Sequence, residues 1–313
     1  MKRFEEVLER IREYPVKHVA VACADDVTVL RAAGDARAQQ IATCTLVGDR
    51  ARILAMAAEE DLDIDELAIV DEPDDIAAAR RAVSLVSGGE ADIVMKGMIH
   101  TDDFLRAVLD KEVGLRAGTL MSHVFVLESG DYDRFILATD GAMNIAPTFE
   151  QKAQIIMNAI HLAAILGIEE PRVACLAAVE VVNPAMPATL EAACLARMSQ
   201  RRQYSPRAIV DGPLALDIAI SALAARHKRI GGPVAGRADI LVVPDVESGN
   251  MLAKAFVYFG KGRVAGVLIG ARAPVVLTSR ADTAESKLMS IAVAVLISNV
   301  ERHVKLKVGK VHY

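Results

Sequence analysis

Val94-Met-Lys-Gly-Met-Ile-His-Thr101, running on into Asp102-Asp-Phe-Leu-Arg106, is the stretch whose reading decides the fold. An apolar strand over Asp92–Met95 stops at Lys96-Gly97, and a helix starts near Asp102. A cation, a glycine, an imidazole and a hydroxyl (Lys96, Gly97, His100 and Thr101) lie between them. Open α/β sheets present anion sites in this way, at the carboxyl ends of strands, with helix N-terminal amides pointing at the ligand. An ordinary strand-to-helix turn with a solvent-facing lysine and histidine has the same local sequence, so the rest of the chain has to decide.

Outward from this stretch, short β-branched runs alternate with helical patterns. Strands are expected at His18–Cys23, Ala42–Val47 and Ala68–Val70, with helices at Asp26–Gln40, Ala51–Glu60 and Asp74–Ser87. That rhythm is the pattern of parallel βαβ units with buried strands, an α/β class. It loosens at Ser122–Leu127 and Phe135–Ala138, where a short polar turn predicts an antiparallel hairpin. Thr148-Phe-Glu-Gln151 then reads as a capping box opening a long helix that ends near Gly167. Further strands are expected near Val173–Ala177, Ala208–Val210, Asp239–Val243, Val264–Ile269 and Val275–Leu277. Helices are expected at Thr189–Arg201, Gly249–Phe259 and Thr283–Arg302. The restart near residue 145 marks the domain boundary.

Composition narrows the function. The net charge of −5 argues against a general nucleic-acid binder, which needs a basic face. Cys23, Cys44, Cys175 and Cys194 are far apart with no C-x-x-C pair, which fits reduced thiols in a cytoplasmic protein better than zinc or disulfides. The start, Met1-Lys-Arg-Phe-Glu-Glu6, has no apolar leader, and no run approaches the roughly 18 apolar residues of a membrane span. A cytoplasmic protein with neither nucleic-acid nor membrane partners is expected.

Polar clusters follow several strands: Lys96–Thr101, Thr139–Asn144, Asp211–Pro213 with Asp217, Asp245–Asn250 and Thr278–Asp282. Taken together they read as one site. Singly they are ambiguous. His100 and His123 each fit a ligand, a base or a structural histidine. Asp211-Gly-Pro213 with Asp217 fits a metal pair less well than a turn, and Asn144 and Asn250 fit either carbonyl orientation or helix capping. Gly260-Lys-Gly-Arg-Val-Ala-Gly266 has the wrong spacing for a dinucleotide fingerprint and precedes a strand, while Walker A and G-x-S-x-G patterns are absent. Ser279-Arg280 is the sharpest pair. Arginine offers a fixed fork of donors for phosphate oxygens, and serine can donate to a developing oxyanion.

From about residue 15 to 300 these segments resemble the phosphate acetyltransferase/phosphate butyryltransferase family. The carriers are Met95–Thr101 with Leu105-Arg106, Ser122-His-Val-Phe-Val126, Thr139–Pro147, Val179–Pro184, Asp211–Asp217, Gly249–Lys254 and Leu277–Asp282. The Val-Asn-Pro segment and the Ser-Arg-Ala-Asp ending look more like the butyryl branch. The resemblance implies a fold like the isocitrate/isopropylmalate dehydrogenases, with an interdomain cleft. Residues 1–144 plus 270–313 would form the first domain, to which the last helix returns, and 145–269 the second, dimerising domain. It also implies a homodimer or higher homo-oligomer, and acyl transfer between a coenzyme A thioester and inorganic phosphate. These are substrates; no metal or redox cofactor is required.

Under this resemblance Ser279, Arg280 and Asp282 are the expected catalytic residues. Substrate contacts are expected from Lys96, Gly97, His100, Thr101, Arg106, Ser122, His123, Asp140, Asn144, Asp211, Asn250 and Lys254. The acetyl enzymes place an aspartate six residues beyond the arginine of the Ser-Arg pair, where this chain has Ser286. The base is therefore open among Asp282, Glu285 and a positioned electrostatic environment. Gly141 stands where the family run has alanine, a change expected to be tolerated. Two other functions share the fold: a metal- and NAD(P)-dependent decarboxylating dehydrogenase, and a non-catalytic acyl-CoA binder.

Overall fold

The computed structural model describes residues 1–304 and 309–312. Residues 305–308 and 313, which the family resemblance assigns to the first domain, lie outside the described residues. The chain separates into two compact units, one built from residues 4–119 and the segment from Val264 through the last helix, the other from residues 1–3, 120–263 and the carboxyl-terminal strand. The sequence rhythm puts one division at 144/145, and the family resemblance puts the other at 269/270.

The first unit begins with helix α1 (Phe4–Ile11), then β1 (Lys17–Ala22), α2 (Val27–Ala38), β2 (Ala42–Gly48), α3 (Arg50–Glu59), β3 (Ala68–Asp71), α4 (Asp75–Ser87), β4 (Ile93–Lys96) and α5 (Thr101–Val108). Aspartates start three of these helices: Asp26, Asp49 and Asp74 accept from the amides of Val29, Arg52 and Ala77. Each satisfies an amide the helix cannot bond internally.

The second unit holds β5 (Ser122–Glu128), β6 (Ile136–Thr139), α6 (Phe149–Ile165), β7 (Arg172–Leu176), α7 (Pro187–Gln200), β8 (Tyr204–Ser205), β9 (Ile209–Leu214), α8 (Leu216–Ile220), α9 (Ala222–His227), β10 (Ile240–Val242) and α10 (Val246–Tyr258). The chain then runs through β11 (Arg263–Ile269), β12 (Val275–Val276) and α11 (Ala284–Val304) of the first unit. It ends on β13 (Lys310–Val311), which pairs with β8.

In the first unit the strands run β3-β2-β1-β4-β12-β11, parallel except for β11 against β12. Every residue of β4 and all of β1 except His18 is buried, as expected of parallel strands covered on both faces. Helix α11 packs on α2 and α1, while α4 packs on α5 and β1. In the second unit the order is β5-β6-β10-β7-β9, with β5 antiparallel to β6 and the rest parallel. The capping box forms as expected: Thr148 and Gln151 satisfy each other's backbone amides, and α6 ends at Ile165, two residues before Gly167, which takes a positive φ of 83°.

Two elements differ from expectation in ways that matter for the site. Strand β9 extends through Asp211-Gly-Pro213 to Leu214, so this run is not a turn after the strand. Its pairing with β7 shifts register between Ala174 and Leu176, and an irregular strand accommodates proline. Gly212 is required there, because a Cβ would stand 2.8 Å from Cys175 Cβ and 2.9 Å from its carbonyl. Helix α10 starts at Val246, capped by Asp245, which accepts from the Ser248 amide at 2.8 Å. The expected start is Gly249; Gly249 and Asn250 thus lie inside the first turns, and Asn250 does not cap the helix.

Candidate active site

Parallel pairing brings the carboxyl ends of β1, β4 and β12 side by side. Ala22 is opposite Lys96, and Met95 is opposite Val276. The chain leaving β4 at Lys96-Gly97 and the chain leaving β12 toward Ser279-Arg280 therefore emerge together. The Gly97 amide donates to the Ala22 carbonyl and the Met98 amide to the Cys23 carbonyl, both at 2.8 Å. A Cβ on Gly97 would stand 2.3 Å from the Cys23 oxygen and 2.4 Å from the Ala22 oxygen. Glycine is needed for this close backbone approach.

The turn over residues 279–282 is built by its own polar groups. Asp282 Oδ2 accepts from the Ser279 amide at 2.8 Å, and the Asp282 amide donates to the Ser279 carbonyl at 3.1 Å. Lys287, only 1% exposed, reaches back from the first turn of α11 and donates to the carbonyls of Asp282 at 2.6 Å and Ser279 at 3.5 Å. Asp282 and Lys287 hold this turn in shape. Ser279 and Arg280 are left at its exposed surface, and among the described residues Arg280 has no hydrogen-bond or ion-pair partner.

Lys96 is 2% exposed and carries no ion pair among the described residues; its ammonium donates only to the neighbouring Gly97 carbonyl at 3.2 Å. Burial, then the positive charges of Arg280 and Lys287, pull its pKa down to about 8 against the weaker pull of Asp282 and Cys23. Burial also lowers Lys287. Three cations against two committed carboxylates, Asp282 and the Asp26 that bears on Lys287, leave a positive excess in a partly dehydrated place, which an anion would neutralise. Cys23 is no competitor for reactive roles. Burial, with Asp75 and Asp25 adding to it, pushes its thiol up to about 12.

His100 is exposed at the N-cap of α5 and makes no side-chain cap bond, with Thr101 half-buried beside it. Arg106 sits on the outer face of α5, its side chain 78% exposed, and pairs with Asp103 at 2.7 Å. That pairing, one helical turn away on the same surface, is a structural alternative to the expected phosphate contact.

The remaining expected residues belong to the second unit. Asp140 is saturated. Oδ1 accepts from the amides of Ala142 and Met143, and Oδ2 from the His123 and Asn144 amides and Asn144 Nδ2. Asn144 Nδ2 also donates to the Met121 carbonyl at 2.9 Å, so the Asp140–Asn144 loop is shaped by its own side chains. Ser122 and His123 are fully buried: Ser122 Oγ accepts from Asn158 Nδ2 at 2.8 Å, and the His123 ring meets Phe125 edge-on with centroids 4.3 Å apart. Asn250 Nδ2 donates to the Gly141 carbonyl at 3.2 Å. Asp211 bonds the amide of Gly212, next to it in β9. Lys254 is exposed on α10. Among the described residues no group of three or more histidines, cysteines or carboxylates is placed to hold a metal ion.

Sequence reasoning missed Lys287. The available signal was a lysine in the first turn of a helix, where the macrodipole disfavours a cation, within a run otherwise destined for burial. Gly141 is also more constrained than expected. A Cβ there would stand 2.6 Å from Phe125 Cε2 and 3.1 Å from the Gly249 backbone. Gly141→Ala is therefore expected to destabilise the protein by about 1–3 kcal/mol through overpacking; an unchanged thermal midpoint would contradict this.

The model of the family described as "Phosphate acetyl/butaryl transferase" matches residues 3–80 and 72–295. A phosphate butyryltransferase of Clostridium acetobutylicum is 48% identical over 298 residues, covering 95% of this chain and 99% of that protein. The crystal structure of a branched-chain phosphotransacylase from Enterococcus faecalis V583 superposes with a TM-score of 0.78 at 36% identity, over 90% of this chain and 99% of that one. A 4-hydroxythreonine-4-phosphate dehydrogenase from Klebsiella pneumoniae shows a likeness of fold alone, with a TM-score of 0.55 at 15% identity over 90% of this chain and 99% of that one. No helix of the described residues is long and apolar enough to cross a membrane. With its cation-lined strand ends and a family match spanning nearly its whole length, this chain belongs to the phosphate acetyl/butyryl transferase family of acyltransferases.

Proposed function

We propose that the protein transfers a short or branched acyl group directly between coenzyme A and inorganic phosphate, acyl-CoA + phosphate giving acyl phosphate + CoA. The carrying observation is the cluster of Lys96, Arg280 and Lys287 at the strand ends of one unit, three cations against the two carboxylates Asp26 and Asp282. A phosphate oxygen attacks the thioester carbonyl while Arg280 holds the phosphate by its fork of donors. Ser279, exposed beside it, donates to the carbonyl oxygen as charge develops there. The thiolate then leaves. Lys96, Gly97, His100 and Thr101 line the anion side, while Asp282, Lys287, Asp140 and Asn144 hold loop shapes. The butyryl and branched-chain names of the relatives support a short-chain acyl group. Family membership disfavours the dehydrogenase alternative.

The likeness to 4-hydroxythreonine-4-phosphate dehydrogenase supports a dehydrogenase-type fold for the whole chain. Four free cysteines support a cytoplasmic setting. Exposed Val181, Val182, Met186 and Leu190 in the second unit support a homodimer or larger homo-oligomer.

The test is release of free thiol from acetyl-, butyryl- and branched acyl-CoA on adding phosphate; no phosphate-dependent release with any of them would sink the reading. Anion binding has a further signature. Sulfate keeps its charge between pH 7 and pH 9.5, whereas Lys96 loses its proton as pH rises through about 8. Sulfate affinity measured by calorimetry is therefore expected to fall severalfold over that range, and constant affinity would remove Lys96 from the anion site.

A further inference from the structure

Resting on the acyl-transfer reading, we propose that Lys96 is a catalytic proton carrier, which takes the proton of the coenzyme A thiol when acyl phosphate is consumed and returns it to sulfur when a thioester is consumed. The position is suitable on geometry. Lys96 is the last residue of β4, one step beyond the Met95–Val276 pair, so it lies alongside the chain that leads through Thr278 to Ser279 and Arg280. It is almost wholly buried, yet it has no carboxylate partner among the described residues and spends one N–H on the carbonyl of the next residue.

The other nearby groups are occupied or unsuited. Asp282 Oδ2 is held by the Ser279 amide, and Ser286 Oγ accepts from the Thr283 hydroxyl at 3.2 Å. The Cys23 thiol donates to the Asp75 carbonyl at 3.3 Å. The charged and titratable groups bearing on Lys96 come from three elements: Cys23 beyond β1, Arg280 and Asp282 in the turn after β12, and Lys287 on α11. Burial first, and then the two cations among these groups, make the neutral amine accessible near pH 8. Coenzyme A carries a thiol of ordinary pKa about 8.5, so proton exchange between the two is nearly balanced in energy. A lysine at its usual value would be neutral in only about one molecule in a thousand at pH 7.5.

The step balances in atoms and electrons. The Nζ lone pair takes the thiol proton, forming N–H as S–H breaks. The sulfur pair then forms the C–S bond to the acyl carbon, and the C–O bond to phosphate breaks with its electron pair left on oxygen. The new ammonium passes its proton to that phosphate oxygen, which restores the amine. Consumption of a thioester runs the same sequence backwards.

Lys96→Arg keeps a positive charge but removes a group that can lose a proton near neutrality. In the direction from coenzyme A and butyryl phosphate, the wild-type kcat is expected to rise with pH through an inflection near 8. Lys96→Arg is expected to lose that inflection and at least 10²-fold in rate. Because arginine is bulkier in a buried place, Lys96→Ala with added methylamine or ethylamine provides the second measurement. Rescue that strengthens with amine basicity supports the role. A Lys96→Arg enzyme within fivefold of wild type with its inflection intact, or Lys96→Ala that stays folded and is not rescued, overturns it. A wild-type protein with no phosphate-dependent acyl transfer would instead overturn the reading of function itself.

Discussion

Arg280→Ala is expected to lower phosphate-dependent thiol release by at least 10²-fold while leaving the fold intact. Both halves of that expectation come from the same geometry. Arg280 is exposed and has no protein partner among the described residues, so its removal breaks no contact in the turn. Asp282 and Lys287 still build that turn through the Ser279 amide and the carbonyls of Ser279 and Asp282. What is lost is a planar fork of donors at the place we propose for the transferred charge, and one such donor is typically worth 10²–10³ in rate. Arg280→Lys is expected to recover only part of the loss, because an ammonium supplies charge without the bidentate fit. The check is kcat/KM for phosphate beside a thermal melt. Near-normal activity in Arg280→Ala would reject the clamp.

Gly97→Ala is expected to be nearly as damaging, by a different route. Its new methyl would stand 2.3 Å from one backbone carbonyl oxygen and 2.4 Å from another, and neither can move aside as a flexible side chain could. Relief requires β1 and β4 to part at their ends, which breaks the bonds from the Gly97 and Met98 amides. Overpacking of 1–3 kcal/mol plus two hydrogen bonds of about 1 kcal/mol each gives a loss of roughly 3–5 kcal/mol. The same displacement moves Lys96 relative to Arg280, and a misplacement of about 1 Å at a reacting group can cost 10² in rate. Thermal unfolding and the thiol assay on the same preparation check this; wild-type values in both would show that the close approach is unimportant.

Much of this arrangement was legible because it depends on local signals. The alternation of strands and helices and the Thr148–Gln151 box can be seen within windows of a few residues, and they appear where expected. Helix α1 also carried a signal, with Phe4, Val7 and Ile11 spaced to bury one face, but its many charges masked that stripe. The extension of β9 through a proline was not legible, since it depends on a register shift against β7.

At the site, residue types were readable and their allegiances were not. Asp140 looks like a ligand in one dimension, but in three its carboxylate accepts five donors from its own surroundings. Asp282 and Asn250 likewise spend themselves on neighbouring backbone. Lys287 showed only its odd place in a first helical turn, because its value comes from reaching back to carbonyls of a preceding turn. Lys96 and Arg280, 184 positions apart, act on each other only because β12 returns beside β4.

The central claim is that acyl groups pass between sulfur and phosphate at the Lys96–Arg280 cluster. It is tested most directly by measuring free thiol and acyl phosphate together in one mixture of butyryl-CoA and phosphate. Equal amounts of the two products, appearing only with phosphate and reduced together at least 10²-fold in Arg280→Ala, are predicted. Thiol released without matching acyl phosphate, or at the same rate in the variant, would contradict it.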